Sequence, residues 1–394
     1  MSEQRKIKIG LIGLGAIGAG TYIPILKDAA GVEVVGVCDE VKEKADTHAA
    51  ALGTTAYYHY NELLDGSGLE AVIIGVPHYD HPAMAIEAFE RGIHVLCEKP
   101  VAVHVNDAIA MNTAYEKARA IYPGLIFGLM FQERTLPFHR KLKEIVEGGS
   151  LGKLVRATWV NTKWFRSQLY YDSGDWRATW AGEGGGILTN QCPHNMDLYQ
   201  WLFGMPDQIT GFASIGKYHH IEVEDEVTAY FHHKNGMIGH FIATTAETPG
   251  TNRMEIVGEH GKLVFENNSI QLHRNAESML SFIHTSPTKF GNVECTLEEI
   301  AVDTEAPHNH PYVFNQFIEA IHSGEEHLVA HGLEGINGLT LANAIMHSSF
   351  TKKTVELPLD GDAYEQELRE RIKQSKYVKN KTVQVEEDMS SSFS

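Results

Sequence analysis

The stretch Lys6 to Gly18, Lys-Ile-Lys-Ile-Gly-Leu-Ile-Gly-Leu-Gly-Ala-Ile-Gly, decides how this chain is read. A strand pattern over Lys6–Ile12 runs directly into Gly13-Leu14-Gly15-Ala16-Ile17-Gly18. A helix pattern follows over Ile17–Ala29. A G-x-G-x-x-G between strand and helix gives a tight turn, close backbone approach to a pyrophosphate, and close helix–strand packing. Gly13, Gly15 and Gly18 fill these roles, and the amides around Ala16 and Ile17 open the helix that faces the phosphates. The next strand pattern, Val32–Cys38, ends at Asp39, ~20 residues beyond Gly18. A carboxylate there accepts hydrogen bonds from ribose hydroxyls and repels a 2′-phosphate, so NAD is favoured over NADP as cofactor.

Outward from that motif the first ~130 residues alternate strand and helix. Apolar runs at Ala71–Val76, His94–Cys97 and Leu125–Met130 are separated by helix patterns at Lys42–Leu52, His81–Arg91 and Val105–Arg119. Short apolar strands joined by helices imply βαβ units and a parallel sheet. Beyond residue 150 strand patterns follow one another without helices: Lys153–Phe165, Gln208–Gly216, Glu226–His233, Met237–Thr245, Arg253–Gly258, Lys262–Glu266 and Ser269–His273. Turn residues such as Lys234-Asn235-Gly236 separate them, which implies a mostly antiparallel sheet. Helices are expected at Tyr312–His322 and about Gly335–Ser349, and a last strand at Lys353–Leu357. The fold class is α/β: a doubly wound parallel sheet over 1–130, and an α/β domain with a large open sheet over 131–360. A charged tail, 361–394, is expected to fray at its end.

Composition excludes other classes. The 394 residues carry 33 Lys+Arg against 51 Asp+Glu, a formal charge of −18. Phosphate neutralisation needs clustered cations, so neither a nucleic-acid partner nor an anionic membrane surface is expected. The cysteines, Cys38, Cys97, Cys192 and Cys295, form no C-x-x-C pair, which suits a reducing cytoplasm. No signal peptide and no membrane-spanning run are read from the sequence. Histidine pairs stand at His219-His220, His232-His233 and His308-Asn309-His310; His232-His233 is no chelate, since adjacent strand residues face opposite ways, no ligand set converges, and no metal is expected.

Two further segments carry chemistry. Gly75-Val76-Pro77-His78-Tyr79-Asp80-His81 closes the third strand, and Glu98-Lys99-Pro100 follows the fourth. Ligands of open α/β sheets bind beyond the carboxyl ends of the strands, which places Lys99 beside the nicotinamide end of the cofactor. Val76, Pro77, His78, His81, Glu98 and Gln132 complete the expected cofactor neighbours. The glycine-rich block Gly184 to Asp197 contains Asn190 and His194 and leads into a helix. Before it runs an aromatic and cationic stretch with Arg166, Tyr171, Trp176, Arg177 and Trp180. Aromatic faces stack on sugar C–H surfaces while Arg and Tyr bind hydroxyls, so these residues are read as substrate contacts. Trp159 is read as core, and His308, ahead of Pro311 and a helix, as a substrate-loop contact.

Together these segments resemble the glucose–fructose oxidoreductase / inositol dehydrogenase / rhizopine-catabolism family over residues 7 to ~357. Its central motif is Glu98-Lys99-Pro100, and Arg134-Thr-Leu-Pro137 and Gly184–Asp197 also match. The resemblance implies oxidation of a secondary hydroxyl of a sugar, glycoside or cyclitol, with Lys99 and His194 as catalytic candidates. The Asn190-Gln-Cys-Pro-His194 segment is similar to the branch that oxidises pyranoses at the 3-hydroxyl. An inositol dehydrogenase is the alternative, and an NAD-responsive sensor the non-enzymatic one. The chain departs from the family at Asn190, where an Asp is frequent, and at His78, where Asn is more frequent. The resemblance also implies a homo-oligomer, dimer or tetramer, formed through the open sheet.

Overall fold

The computed structural model describes residues 5–66 and 68–379. The first sheet contains β1 (Ile7–Ile12), β2 (Val32–Cys38), β3 (Thr55–Tyr57), β4 (Ala71–Ile74), β5 (His94–Cys97) and β6 (Phe127–Leu129) in the order β3-β2-β1-β4-β5-β6. Every pairing in it is parallel. Ile7, Ile9, Leu11, Val72 and Ile74 are buried, as strands covered on both faces require. A π-helical turn, Gly18–Tyr22, leads into α1 (Ile23–Asp28). The other crossover helices are α2 (Lys42–Leu52), α3 (Tyr60–Asp65), α4 (His81–Glu90) and α5 (Val105–Ile121). The strand order reverses between β1 and β4, so the ligand crevice lies beyond their carboxyl ends.

After α6 (Pro137–Glu147) comes the second sheet. Its strands are β7 (Leu154–Asn161), β8 (Gln208–Ile215), β9 (Glu224–His232), β10 (Ile238–Thr244), β11 (Asn252–Gly258), β12 (Gly261–Glu266), β13 (Ser269–Asn275), β14 (Cys295–Ile300) and β15 (Val355–Glu356). They lie in the order β14-β13-β12-β11-β7-β10-β9-β8-β15. Only the β7–β10 pairing is parallel among the described strands of this sheet. The helices in this half are α7 (Gln168–Asp172), α8 (Pro193–Phe203), α9 (Met279–Thr285), α10 (Asn309–Ser323), α11 (Gly335–Thr351) and α12 (Gly361–Gln374).

Helices α8 and α11 cover one face of this sheet. Tyr199 of α8 packs on Phe231 at 4.5 Å, and Ser348 of α11 accepts at its Oγ from the Gly211 N–H of β8 at 2.9 Å. The other face leaves Phe212, Tyr230 and Ile242 exposed. Helix α10 returns to the first sheet, where Val313, Phe314 and Phe317 join the core containing Ile7, Ile9 and Leu96.

Several elements differ from the sequence reading. The strand expected to reach Phe165 ends at Asn161, and α7 follows. The stretch assigned to a charged tail from 361 begins with a packed helix, α12. The Asp360 side chain caps it by accepting from the Ala363 N–H at 3.0 Å. Tyr364 and Leu368, four residues apart on one face, are buried. The end of that tail, from residue 380, lies outside the described residues.

Candidate active site

The glycine loop is shaped for close approach. Gly13 has φ +92°, and a Cβ there would sit 2.3 Å from the Gly75 carbonyl oxygen. A Cβ on Gly18 would meet the Gly13 oxygen at 1.9 Å. A Cβ on Gly15 would meet nothing within 4 Å, because it would point into the open crevice. Gly13 and Gly18 are therefore glycines for the fold, and Gly15 keeps the approach to the loop clear. Ala16 and Ile17 lie in the turn that opens the helix, partly buried. Asp39 reaches across from the end of β2: one oxygen accepts from the Leu14 N–H at 2.8 Å and the other from the Val41 N–H at 2.9 Å. A cradle with backbone amides, an unfilled Cβ position and a carboxylate at the second strand fits NAD.

Next to this cradle the Glu98 carboxylate is buried and accepts from the Tyr22 hydroxyl at 2.7 Å. Lys99 follows at the end of β5. Its Nζ donates to the Asn190 carbonyl at 3.1 Å, which ties the cofactor domain to the glycine-rich segment of the second domain. Burial lowers the Lys99 pKa from its ordinary 10.5. The Glu98 and Glu183 carboxylates oppose this shift, and the Arg177 and Arg166 charges reinforce it.

His194 opens α8. Its Nε2 lies 3.1 Å from Gln132 Nε2, so one of the two side chains has to present an acceptor there. Its Nδ1 and the Gln132 Oε1 are buried without a hydrogen-bond partner among the described residues. Burial, then the charge of Lys99, holds the His194 pKa well below 6.5. Three residues on, Asp197 forms a bidentate pair with Arg134, at 2.7 and 2.6 Å, and takes no part in orienting His194.

The aromatic segment forms a stacked wall. The Arg177 guanidinium lies 4.6 Å from the ring centres of both Trp176 and Tyr170, and Arg166 lies 5.2 Å from Tyr170. Arg177 donates to the Tyr170 hydroxyl at 2.9 Å, and that hydroxyl donates to Asn190 Oδ1 at 3.3 Å. Trp176 meets His78 edge-on at 5.4 Å. His78 itself is buried, its Nδ1 3.2 Å from the Glu183 carbonyl. Val76 and Pro77 form the loop between β4 and His78.

Four expected contacts are corrected by this geometry. Tyr171 is 2% exposed and points into the core, where its hydroxyl donates to Thr245 Oγ1 at 2.9 Å. Its neighbour Tyr170 reaches Asn190 instead, because successive helical residues diverge by about 100°. Trp180 is 4% exposed and packs against Phe350 and Arg371, as a core residue. His81 has both ring nitrogens against backbone, 2.7 Å from the Pro100 oxygen and 2.9 Å from the Val76 oxygen, so it braces the two loops from inside. His308, the residue before α10, turns back to the Ala306 carbonyl at 2.7 Å, while His310, two residues on and inside the helix, lies 3.9 Å from Glu98 and 6.4 Å from the Tyr22 ring.

The sequence reading missed two buried carboxylates. Glu183 accepts from the Asn190 side chain and from the Ala178 N–H. Glu224 accepts from the N–H groups of Gly186 and Leu188 at 2.9 and 3.0 Å, so it fixes the glycine-rich segment. Burial pushes the Glu224 pKa up to about 7. No group of three or more His, Cys, Asp or Glu gathers to hold a metal ion among the described residues. Among the same residues, no helix is long and apolar enough to cross a membrane.

Comparison with known proteins follows this division into two halves. A family described as an oxidoreductase family with an NAD-binding Rossmann fold matches residues 7–123, and the GFO/IDH/MocA C-terminal domain matches 139–264. Inositol 2-dehydrogenase of Leifsonia xyli is 27% identical over 206 residues, 52% of this chain and 56% of that enzyme. The chain thus spans little more than half the length of that relative. The NAD⁺-dependent scyllo-inositol 2-dehydrogenase of Bacillus subtilis is 25% identical over 66% of this chain and 74% of its own length. Among solved structures, the WlbA dehydrogenase of Bordetella pertussis, in complex with NADH and UDP-GlcNAcA, superposes with a TM-score of 0.75. It is 27% identical and covers 90% of this chain and 100% of that one.

Proposed function

Since this chain belongs to the GFO/IDH/MocA oxidoreductase family, we propose that it is an NAD-dependent dehydrogenase that oxidises a secondary hydroxyl of a sugar or glycoside, with Lys99 as the base. The observation that carries this reading is the Lys99 Nζ held at 3.1 Å by the Asn190 carbonyl, between the cofactor cradle and the Trp176–Arg177–Tyr170 wall. Bound NAD supplies the hydride acceptor.

The residues of the chain do the rest. Gly13, Gly15 and Gly18 admit the pyrophosphate, and Asp39 takes the ribose hydroxyls and disfavours a 2′-phosphate. Trp176 and Arg177 present an aromatic and a hydrogen-bonding surface to the pyranose ring. A neutral Lys99 amine has two N–H groups and one lone pair. One N–H goes to Asn190, so the lone pair remains to take the hydroxyl proton as hydride leaves the carbinol carbon. Neutral His194, whose Nδ1 has no partner among the described residues, holds the substrate oxygen by a hydrogen bond.

The 3-hydroxyl of a pyranose is the preferred target, and a free inositol is the second reading, favoured by the names of the two inositol dehydrogenases above. Exposed Phe212, Tyr230 and Ile242 on the open sheet support a homo-oligomer formed through that face. Four unpaired cysteines support a cytoplasmic enzyme. NADH formation across a panel of glucosides, free pyranoses and inositols tests the function. The parent enzyme turns over members of the panel, and Lys99→Met loses ~10²–10⁴-fold in kcat while still binding NADH. A Lys99→Met enzyme as fast as the parent overturns the assignment.

A further inference from the structure

An amide stands at position 190, beside the lysine read as the base, and an amide carries no charge. A carboxylate nevertheless lies one hydrogen bond away. Asn190 Nδ2 donates to Oε1 of Glu183, and the Ala178 N–H donates to Oε2 at 2.6 Å. Both carboxyl oxygens accept from N–H groups, as an ionised carboxylate does. Glu183 is 1% exposed, and its own carbonyl lies against His78 Nδ1 at 3.2 Å. The Asn190 carbonyl in turn holds Lys99 Nζ. One buried side chain therefore connects the residue that anchors Lys99 with the segment bearing Trp176 and Arg177.

We propose that Glu183 is a positioning residue of this site: its carboxylate fixes Asn190, and through it the Lys99 amine, and supplies the negative charge that favours the ammonium formed when Lys99 takes the substrate proton. The charge that a carboxylate at 190 would place beside Lys99 is delivered from 183 instead. Burial raises the Glu183 pKa, and the Arg177 charge, the hydrogen bonds from the Ala178 N–H and Asn190, and the Lys379 charge oppose that shift and favour the carboxylate. The proposal rests on Lys99 being the base, so its test separates the two claims.

The test moves the charge. Glu183→Gln keeps the shape and removes the charge; the NADH dissociation constant and KM stay within about threefold of the parent while kcat falls ~10–100-fold. Asn190→Asp alone sets two carboxylates in contact and also lowers kcat. In the Glu183→Gln background the same change returns the charge, and kcat recovers at least about tenfold, so the effect of Asn190→Asp reverses sign. Glu183→Asp, which keeps the charge, retains more kcat than Glu183→Gln.

Three results would overturn the proposal: a Glu183→Gln enzyme with parental kcat; a double variant that binds NADH but is no faster than Glu183→Gln; or a KM and an NADH dissociation constant that rise in step with the fall in kcat, which marks a merely structural role. Should Glu183→Gln fail to bind NADH, an equally slow but NADH-binding Glu183→Asp refutes the charge argument by itself. Full activity of Lys99→Met would remove the base assignment instead, and a Glu183 result alone leaves that assignment standing.

Discussion

Replacing Gly15 by Ala separates the folding role of the glycine loop from its binding role. A Cβ at 15 meets no atom within 4 Å, and Gly15 does not adopt the left-handed backbone that Gly13 does. The folded chain thus accepts the methyl group without strain, and loss of glycine's freedom in the unfolded chain is worth ~0.4–1 kcal/mol in favour of folding. The melting temperature stays level or rises slightly. The same methyl occupies the path by which the pyrophosphate reaches the loop amides. Hydrogen bonds to a charged acceptor contribute ~1.5–3 kcal/mol each. Losing one of them weakens NADH binding by about 10- to 100-fold, since each 1.4 kcal/mol is tenfold. Gly18→Ala is the contrasting case. Its Cβ lies 1.9 Å from the Gly13 oxygen, so backbone must move and stability falls by more than ~1 kcal/mol. Fluorescence titration with NADH and thermal melts of both variants give the comparison. A Gly15→Ala protein that binds NADH as tightly as the parent would refute the placement of the pyrophosphate.

Two other perturbations have defined outcomes. Arg134→Ala strips Asp197 of a bidentate partner at a site where the two side chains are 3% and 1% exposed. An uncompensated buried charge costs ~3–5 kcal/mol, so a large fall in melting temperature is expected, and a shift of a degree or two would contradict it. Glu224→Gln has a pH signature. Burial raises the folded pKa to about 7, above the ordinary 4.5, so the folded protein holds the extra proton between those values and the carboxylate's charging costs stability as pH rises through 7. Glutamine does not titrate. The melting temperature of Glu224→Gln relative to the parent therefore climbs from pH 5 to pH 8, and a flat difference would refute the assignment.

The glycine loop and Lys99 were legible because their meaning is local: a strand, a turn and a helix adjoin in sequence, and Glu98-Lys99-Pro100 closes a strand. Glu183 and Glu224 were not, because their partners are backbone amides and one amide side chain brought together by folding. Nothing in the sequence around Glu224 announces Gly186, 38 residues away. Choosing Tyr171 over Tyr170 turned on helical phase, which adjacent residues of the same kind leave open, and choosing His308 over His310 turned on where the helix begins, at Asn309. Helix α12 did leave a signal, the capping Asp360 with Tyr364 and Leu368 four apart, but the surrounding charges outweighed it.

The pH dependence of kcat/KM on an oxidised glycoside tests the central claim most directly. A base must be unprotonated to work, so activity rises with pH through the pKa of that base. Lys99 is lowered from 10.5 and His194 is held well below 6.5. With Lys99 as base, the acidic limb has its midpoint below 10.5, persists in His194→Ala and is absent from the residual activity of Lys99→Met. A limb centred below 6.5 that persists in Lys99→Met and vanishes in His194→Ala would contradict the account.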